Sequence, residues 1–307
     1  MFLVWFHAAD YTGYNQVVIR EIEAKTILAS VRQPDSFFGL RYNLNLYRGC
    51  QHGCIYCDSR SLCYGIENFD EVLVKVNALE LLEKELPRKR CKGVVGFGSM
   101  SDPYTPAEER YHLTGGALLL MERFGFPVHL TTKSDRILRD VAVLERLARH
   151  HAVVAFTITT LDEQLARQVE PGAPPPQARL RAMAVLSACG VKVGVTLMPV
   201  LPFLEGDAAD LLAIVEQAAA HGACFVLPGL GVTLRDRQRA YFYQRLDALF
   251  PGVRQRYQQR YGERYFCALP NAHRLAAQLT ERCRALGLAE QVPAYRPPVF
   301  QPGLFNP

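Results

Sequence analysis

Short apolar and β-branched runs recur along the chain at residues 43–48, 93–97, 128–132, 153–159, 192–197 and 224–227. Each is too short for a helix and is bounded by Gly, Pro or polar positions, which predicts strands. Between them the apolar spacing predicts helices over residues 69–86, 114–124, 137–150, 176–189 and 208–221. Asp207 precedes the last of these with a side chain able to cap its N-terminus. Gly190 and Gly222 stand just past two helices, where a left-handed residue is wanted. Strands alternating with helices imply parallel β/α units. The predicted fold class is therefore α/β: a partial (β/α)6 TIM-like barrel with a C-terminal helical extension. A doubly wound sheet is the alternative. In both architectures the chemistry gathers at the C-terminal ends of the strands. The stretches GCQHGCIYC, GSMSDPY, TKSD, ITTLD and LMPVLP follow the first five predicted strands in turn, so all five fall at one rim.

The same pattern divides the chain. Residues 1–40 are expected to form an N-terminal segment packing on the barrel, and residues 41–230 the barrel core. Residues 231–307 read as an Arg/Tyr-rich extension that ends in the Pro-rich tail VPAYRPPVFQPGLFNP.

Composition adds limits. With 307 residues, 49% hydrophobic and 21% charged, the chain has ample material for a core. It has no run of eighteen apolar residues, so no membrane span is expected. The apolar start MFLVWFHAAD lacks a basic flank, and a cytoplasmic protein is expected. The net charge of +5 is uneven. Residues 231–307 carry twelve Arg, no Lys and five acids, a balance of +7, which leaves −2 for the remainder. Residues 235–264 then read either as amphipathic helices with Arg outside and aromatics inside, or as a surface for nucleic acid, with cations for phosphates and rings for bases.

Of nine cysteines, Cys50, Cys54, Cys57 and Cys63 lie together, while the others are scattered. A reducing compartment disfavours disulfides, so the group points to metal or redox chemistry. Zinc wants four ligands, usually in paired CxxC units, and here only Cys63 and His52 stand near as a fourth. A [4Fe–4S] cluster also takes thiolates, and three of them leave one iron open to another ligand.

The spacing CxxxCxxC with an aromatic before the last cysteine, here CQHGCIYC with Tyr56, resembles the signature of radical S-adenosylmethionine (SAM) enzymes. That resemblance implies a [4Fe–4S] cluster on Cys50, Cys54 and Cys57, with the amino and carboxylate groups of SAM on the fourth iron. It also implies a one-electron reductant such as flavodoxin or ferredoxin, whose electron cleaves SAM to methionine and a 5′-deoxyadenosyl radical. Cys63 falls outside the motif. The stretches LYRGCQHGCIYC, SDPYTPAE, TTKS, ITTLDEQLARQVEP and PNAHRL together resemble the spore photoproduct lyase-like branch, from about residue 22 to 288.

The branch implies roles for several residues. Lys133 meets the SAM carboxylate as a point charge. Ser101 and Thr157 meet the ammonium, and Asp102 the ammonium or the ribose. Tyr56 covers the cluster and offers its backbone to adenine. Glu170 matches a family motif without an assigned role, and Arg179 reads equally well as part of an ordinary helix face. The family uses a cysteine as hydrogen-atom donor near the end of the second strand, where this chain has Ser99. Cys63, Cys91 and Tyr104 are the substitutes that the sequence offers. The resemblance therefore implies a radical enzyme abstracting hydrogen from a substrate, with nucleic acid repair or modification as one reading. A protein or small-molecule substrate is another, and a non-enzymatic iron–sulfur or zinc protein the third.

Overall fold

The computed structural model describes residues 18–32, 37–66, 68–69 and 71–297. Six parallel strands run β1 (Tyr42–Leu44), β2 (Val95–Phe97), β3 (Val128–Thr132), β4 (Ala152–Thr157), β5 (Lys192–Leu197) and β6 (Phe225–Pro228). They lie side by side in chain order, each paired in parallel with the next. A short strand, Leu28–Ser30, adds antiparallel to β1 and forms the far edge. Between strands run α1 (Ala78–Glu85), α2 (Leu113–Phe124), α3 (Val141–Ala148), α4 (Pro176–Ala188) and α5 (Ala208–Ala220). The helix α6 (Ala272–Ala285) packs on α5 and β6 and completes the sixth unit. This is a partial (β/α)6 barrel.

The strands read as unbroken apolar runs because both of their faces are covered. Every residue of β4 (AVVAFT) is buried, and all of β5 (KVGVTL) except Lys192. Gly194 in β5 is required by close packing, since a Cβ there would lie 2.5 Å from the Phe225 ring. Asp207 caps α5 by accepting from the Ala209 N–H at 2.8 Å. Gly190 and Gly222 follow their helices with positive φ, as their positions predict.

Two early elements differ from the pattern reading. The run 43–48 is not one strand. β1 ends at Leu44, and Tyr47–Arg48 turns away to pair antiparallel with Glu71–Lys75, which also pairs in parallel with Val18–Ile22. The helix expected over 69–86 is thereby shortened to α1. EVLVK alternates buried and partly exposed positions, a period of two, and its Val residues favour a strand.

After β6 the chain forms an antiparallel ribbon, Gly231–Thr233 with Phe266–Ala268. The ribbon brackets two helices, Asp236–Leu249 and Val253–Tyr261, before α6 returns to the barrel. Part of the N-terminal segment (residues 1–17) and the end of the Pro-rich tail (298–307) lie outside the described residues. No helix among the described residues is long and apolar enough to cross a membrane.

Candidate cluster and cofactor site

The cysteine loop leaves Tyr47–Arg48 through Gly49, whose φ of 85° no L side chain adopts easily. A Cβ there would also lie 2.3 Å from the Glu71 carbonyl. The loop is clamped from two sides. From the segment after β2, Thr105 Oγ1 accepts the Gln51 N–H at 3.0 Å, and the Ala107 N–H donates to Gln51 Oε1 at 2.6 Å. From the segment after β4, Val169 accepts the Ile55 N–H and Gly172 donates to the His52 carbonyl, both at 2.9 Å. Gly172 has no alternative, because a Cβ would sit 2.1 Å from the Gln51 carbonyl.

This clamp brings Cys50, Cys54 and Cys57 into electrostatic reach of one another. Burial pushes the Cys54 thiol well up. Lys133 opposes that shift, while Glu170 and the other two thiols reinforce it. Burial and the charge of Cys50 likewise raise Cys57. Cys50 differs: burial raises it too, but His52 outweighs burial and holds the thiol below its ordinary value. Among the described residues no three His, Cys, Asp or Glu side chains are gathered closely enough to hold a single metal ion.

His52 is buried beneath Cys50, with Nδ1 3.4 Å from Asp102 Oδ2. Burial disfavours its charge, yet Cys50 and Asp102 carry its pKa up to about 9. Asp102 is the tie between the loops after β2 and β3. Its Oδ1 accepts from Tyr104 N at 2.9 Å and Thr132 Oγ1 at 2.7 Å, and its Oδ2 from Lys133 N at 2.7 Å. Against burial, His52 and these donors hold it down at about 2. Its two oxygens thus already accept three hydrogen bonds from this chain. Its neighbour Ser101 is buried with an Oγ that has no hydrogen-bond partner among the described residues.

Lys133 leaves the end of β3 toward the cysteines. Its ammonium lies 5.6 Å from the centre of the Tyr56 ring and 3.9 Å from Glu170 Oε1, and makes no hydrogen bond among the described residues. Burial works against its charge, but Cys54 and Glu170 keep its pKa raised. Glu170 also accepts from the Tyr56 hydroxyl and pairs with Arg179 Nη2 at 2.5 Å. Arg179 is almost wholly buried, and it donates from Nη1 to the Thr157 carbonyl at 2.8 Å and from Nε to Pro174 at 2.9 Å. Burial raises the Glu170 carboxyl, while Arg179 and Lys133 lower it further, so it stays ionised. Thr157 Oγ1 faces Thr196 Oγ1 at 3.0 Å across β4 and β5.

The structure thus gathers Cys50, Cys54, Cys57, Tyr56, Ser101, Lys133 and Thr157 around one rim. It adds Glu170 and Arg179, which the sequence reading left without a role, and His52, which that reading weighed only as a fourth metal ligand. The proline after Glu170 and the arginine on the following helix were the only signals. Glu205, from the loop after β5, is a further residue that pattern reading missed. It accepts from Thr159 Oγ1 at 2.9 Å and Leu201 N at 2.7 Å, and burial still lifts its pKa to about 8.

Of the substitute hydrogen donors, none stands open beside the thiols. Tyr104 is fully buried and donates to Asp140 at 3.0 Å. Cys91 sits at the opposite end of the barrel, where its carbonyl accepts from Tyr42 at the start of β1. Cys63 is exposed and contacts the Ser61 hydroxyl at 3.4 Å. Ser99 is exposed and donates to Asn45 Oδ1 at 3.1 Å at the mouth.

The Arg/Tyr segment closes over the back of the cysteine loop. Gln238 Nε2 donates to the Tyr56 carbonyl at 3.1 Å, and Phe242, Tyr243, Leu246, Tyr257 and Tyr261 form one apolar cluster with Cys54, Ile55 and Tyr56. Arg235 pairs with Asp58 at 2.5 Å, Arg237 bonds the Arg60 carbonyl at 2.6 Å, and Arg239 bonds carbonyls of residues 234, 263 and 264. Arg235, Arg237 and Arg239 are therefore committed to groups of this chain.

Comparison with known proteins agrees with this geometry. Residues 44–215 match the radical SAM superfamily. An uncharacterized protein of Mycobacterium tuberculosis is 33% identical over 256 residues, covering 81% of this chain and 75% of that one. A radical SAM Nα-GlyT isomerase of Pseudomonas phage M6 is 24% identical over 173 residues, 56% of this chain and 35% of the phage protein. Spore photoproduct lyase, solved as a variant with bound AdoMet and dinucleoside spore photoproduct, shares the fold. Its TM-score is 0.67 at 15% identity, covering 92% of this chain and 86% of that one.

Proposed function

The chain belongs to the radical SAM superfamily, whose enzymes use a [4Fe–4S] cluster and S-adenosylmethionine, and from that premise we propose that Cys50, Cys54 and Cys57 hold the cluster while Lys133, Ser101 and Thr157 hold SAM. When bound and reduced, the cluster supplies the electron that cleaves SAM to methionine and a 5′-deoxyadenosyl radical.

One observation carries this reading. The Lys133 ammonium, without a hydrogen bond among the described residues, lies in electrostatic reach of a loop that presents three interacting thiols, and Ser101 brings a buried, unpartnered hydroxyl from the loop after β2 at the same rim. The donor set suits the two groups. Thiolates are the ligands an iron–sulfur cluster takes, and an ammonium with three spare donors suits a carboxylate. Glu170 and Tyr56 hold the Lys133 chain in place, and Asp102 fixes its backbone. The aromatic cluster under Cys54 keeps water from the loop's inner side.

The substrate reading we favour is nucleic acid, repaired or modified at a base. The ribbon edging the site carries Tyr265 and Phe266, each about half exposed at 52% and 50%. Arg235 lies between the Tyr64 and Tyr265 rings. Such rings offer stacking surfaces to unpaired bases. With Ser99 at the mouth, hydrogen return to the product must come from elsewhere than a thiol at that position, because an O–H bond is a poor hydrogen-atom donor.

Anaerobic reconstitution with iron and sulfide, then dithionite and SAM, tests the assignment. 5′-Deoxyadenosine is expected from the wild type and none from Cys54→Ala. A colourless, zinc-loaded protein would refute it.

A further inference from the structure

Unpaired positive charge also meets solvent well outside the Arg-rich C-terminal segment. Lys25, Arg41, Arg88, Lys89, Arg90 and Lys92 form no ion pair among the described residues, and all but half-buried Lys89 are exposed. Most of them come from the RKRCK connection between α1 and β2. Lys25 precedes the edge strand Leu28–Ser30, and Arg41 precedes β1.

Lys25, Arg88 and Lys89 line a groove of about 470 Å³ between the edge strand and the end of α1. Its one acid, Glu85, is already committed: Oε1 accepts the Ile27 N–H at 2.9 Å and Oε2 the Leu28 N–H at 3.1 Å. Lys84, also in the groove, pairs with Glu80 at 2.5 Å. A cluster of like charges left uncompensated repels itself. In the C-terminal segment Arg235, Arg239, Arg254 and Arg282 are paired with carboxylates, whereas Arg256, Arg260, Arg274 and Arg284 are exposed without an ion pair among the described residues but are spread over two helices rather than gathered in one connection.

We propose that this basic flank grips the phosphate backbone of a nucleic acid, outside the barrel and at the opposite end of the strands from the cysteines. The proposal rests on the nucleic-acid reading of the site but needs no cluster. The connection 88–92 leads into the start of β2 while the site lies beyond its end, so the flank stands apart from the mouth. Its chemistry suits a polyphosphate chain better than a bilayer, since none of the residues lining the groove is an exposed large apolar side chain. Point charges without bidentate partners give affinity without sequence choice. The flank therefore supplies grip, and base selection is left to the mouth.

The test is fluorescence anisotropy of a labelled single-stranded and a duplex oligonucleotide between 50 and about 200 mM salt, on wild type and on the quadruple variant Arg88→Gln, Lys89→Gln, Arg90→Gln, Lys92→Gln. The wild type is expected to bind with a steep salt dependence. The variant should bind at least about 10-fold more weakly, with a slope of log K against log salt shallower by about 2–4, while still producing 5′-deoxyadenosine. Equal binding by variant and wild type overturns the flank but spares the nucleic-acid reading. No binding by the wild type at low salt overturns both, and leaves the radical chemistry standing. Binding to vesicles of anionic lipid, lost in the variant, with no oligonucleotide binding, would assign the flank to a membrane instead.

Discussion

Two buried clusters in this protein share a composition and differ in purpose. In one, Tyr47 donates to Glu108, which pairs with Arg139 at 2.5 Å. In the other, Tyr56 donates to Glu170, which pairs with Arg179 at 2.5 Å. Around Glu108 the chain closes the account with its own backbone: the Thr114 N–H reaches both carboxylate oxygens at 3.0 Å, and Arg139 also bonds the Glu108 carbonyl. Glu170 receives no backbone N–H among the described residues. Its further neighbour is Lys133, a cation 3.9 Å away whose ammonium makes no hydrogen bond among the described residues. The first cluster is a lock on the turn between Glu108 and Thr114. The second is a mount that holds a lysine ready for something the polypeptide does not provide. What separates the two is whether the backbone completes the hydrogen-bond set, since an incomplete set in a buried place is costly unless a ligand fills it.

Removing each arginine should break the comparison most visibly. Arg179→Met leaves Glu170 buried with the Tyr56 hydroxyl and a lysine 3.9 Å away but no backbone donor, and a loss of about 3–5 kcal/mol is expected in urea unfolding. Arg139 is 31% exposed, and Glu108 keeps its backbone and tyrosine donors, so Arg139→Met should cost about 1–2 kcal/mol. Equal losses would show that the clusters are equivalent.

Lys133→Met should weaken SAM binding to the cluster-loaded protein by about 30-fold or more, as expected when one member of a buried charge pair is lost. The unfolding midpoint should scarcely move, because Arg179 still satisfies Glu170. Unchanged SAM affinity in a titration calorimeter would remove the functional half of the comparison.

Glu205 sharpens the contrast, being a largely buried carboxyl with no cation beside it. The unfolded chain releases its proton above about 4.5, whereas burial retains that proton in the folded protein up to about 8. Its contribution to stability therefore falls as pH rises from about 4.5 to 8. Glu170, with its pKa lowered, behaves oppositely and loses its contribution as pH falls below its unfolded value. Glu205→Gln should flatten the fall between pH 5 and 8 in midpoints measured at several pH values, and an unaltered profile would reject the assignment.

The smallest expected effects are those of the two tyrosines. Tyr47→Phe and Tyr56→Phe each remove one hydrogen bond to a buried carboxylate, about 1–2 kcal/mol. Only Tyr56→Phe should also shift SAM affinity, since only its partner steadies Lys133. A shift in both, or in neither, would blur the distinction.

Much of the architecture was legible in the pattern alone. Both-face burial makes β4 and β5 continuous apolar runs, and Asp207, Gly190 and Gly222 mark helix ends by local chemistry. The cysteine spacing and TTKS stretch were legible for the same reason, being local motifs that follow predicted strands. The reading failed where a neighbour from elsewhere decides the outcome. Glu71–Lys75 is a strand because Val18–Ile22 and Tyr47–Arg48 flank it. For the arginines between residues 235 and 264 composition left two readings open, because it cannot show that Asp58, Glu263 and a row of carbonyls lie opposite Arg235 and Arg239.

By itself, then, the sequence determined the β/α rhythm, the rim on which five unusual stretches fall, and the trio of thiols. Those features depend on spacing along the chain, which folding preserves. Only the tertiary structure decided that Glu170 and Arg179 support Lys133, that Asp102 ties two loops together, and that a cluster of uncompensated cations faces outward at residues 88–92. Those outcomes depend on which charges and donors meet across long separations, where burial multiplies the energy of each encounter.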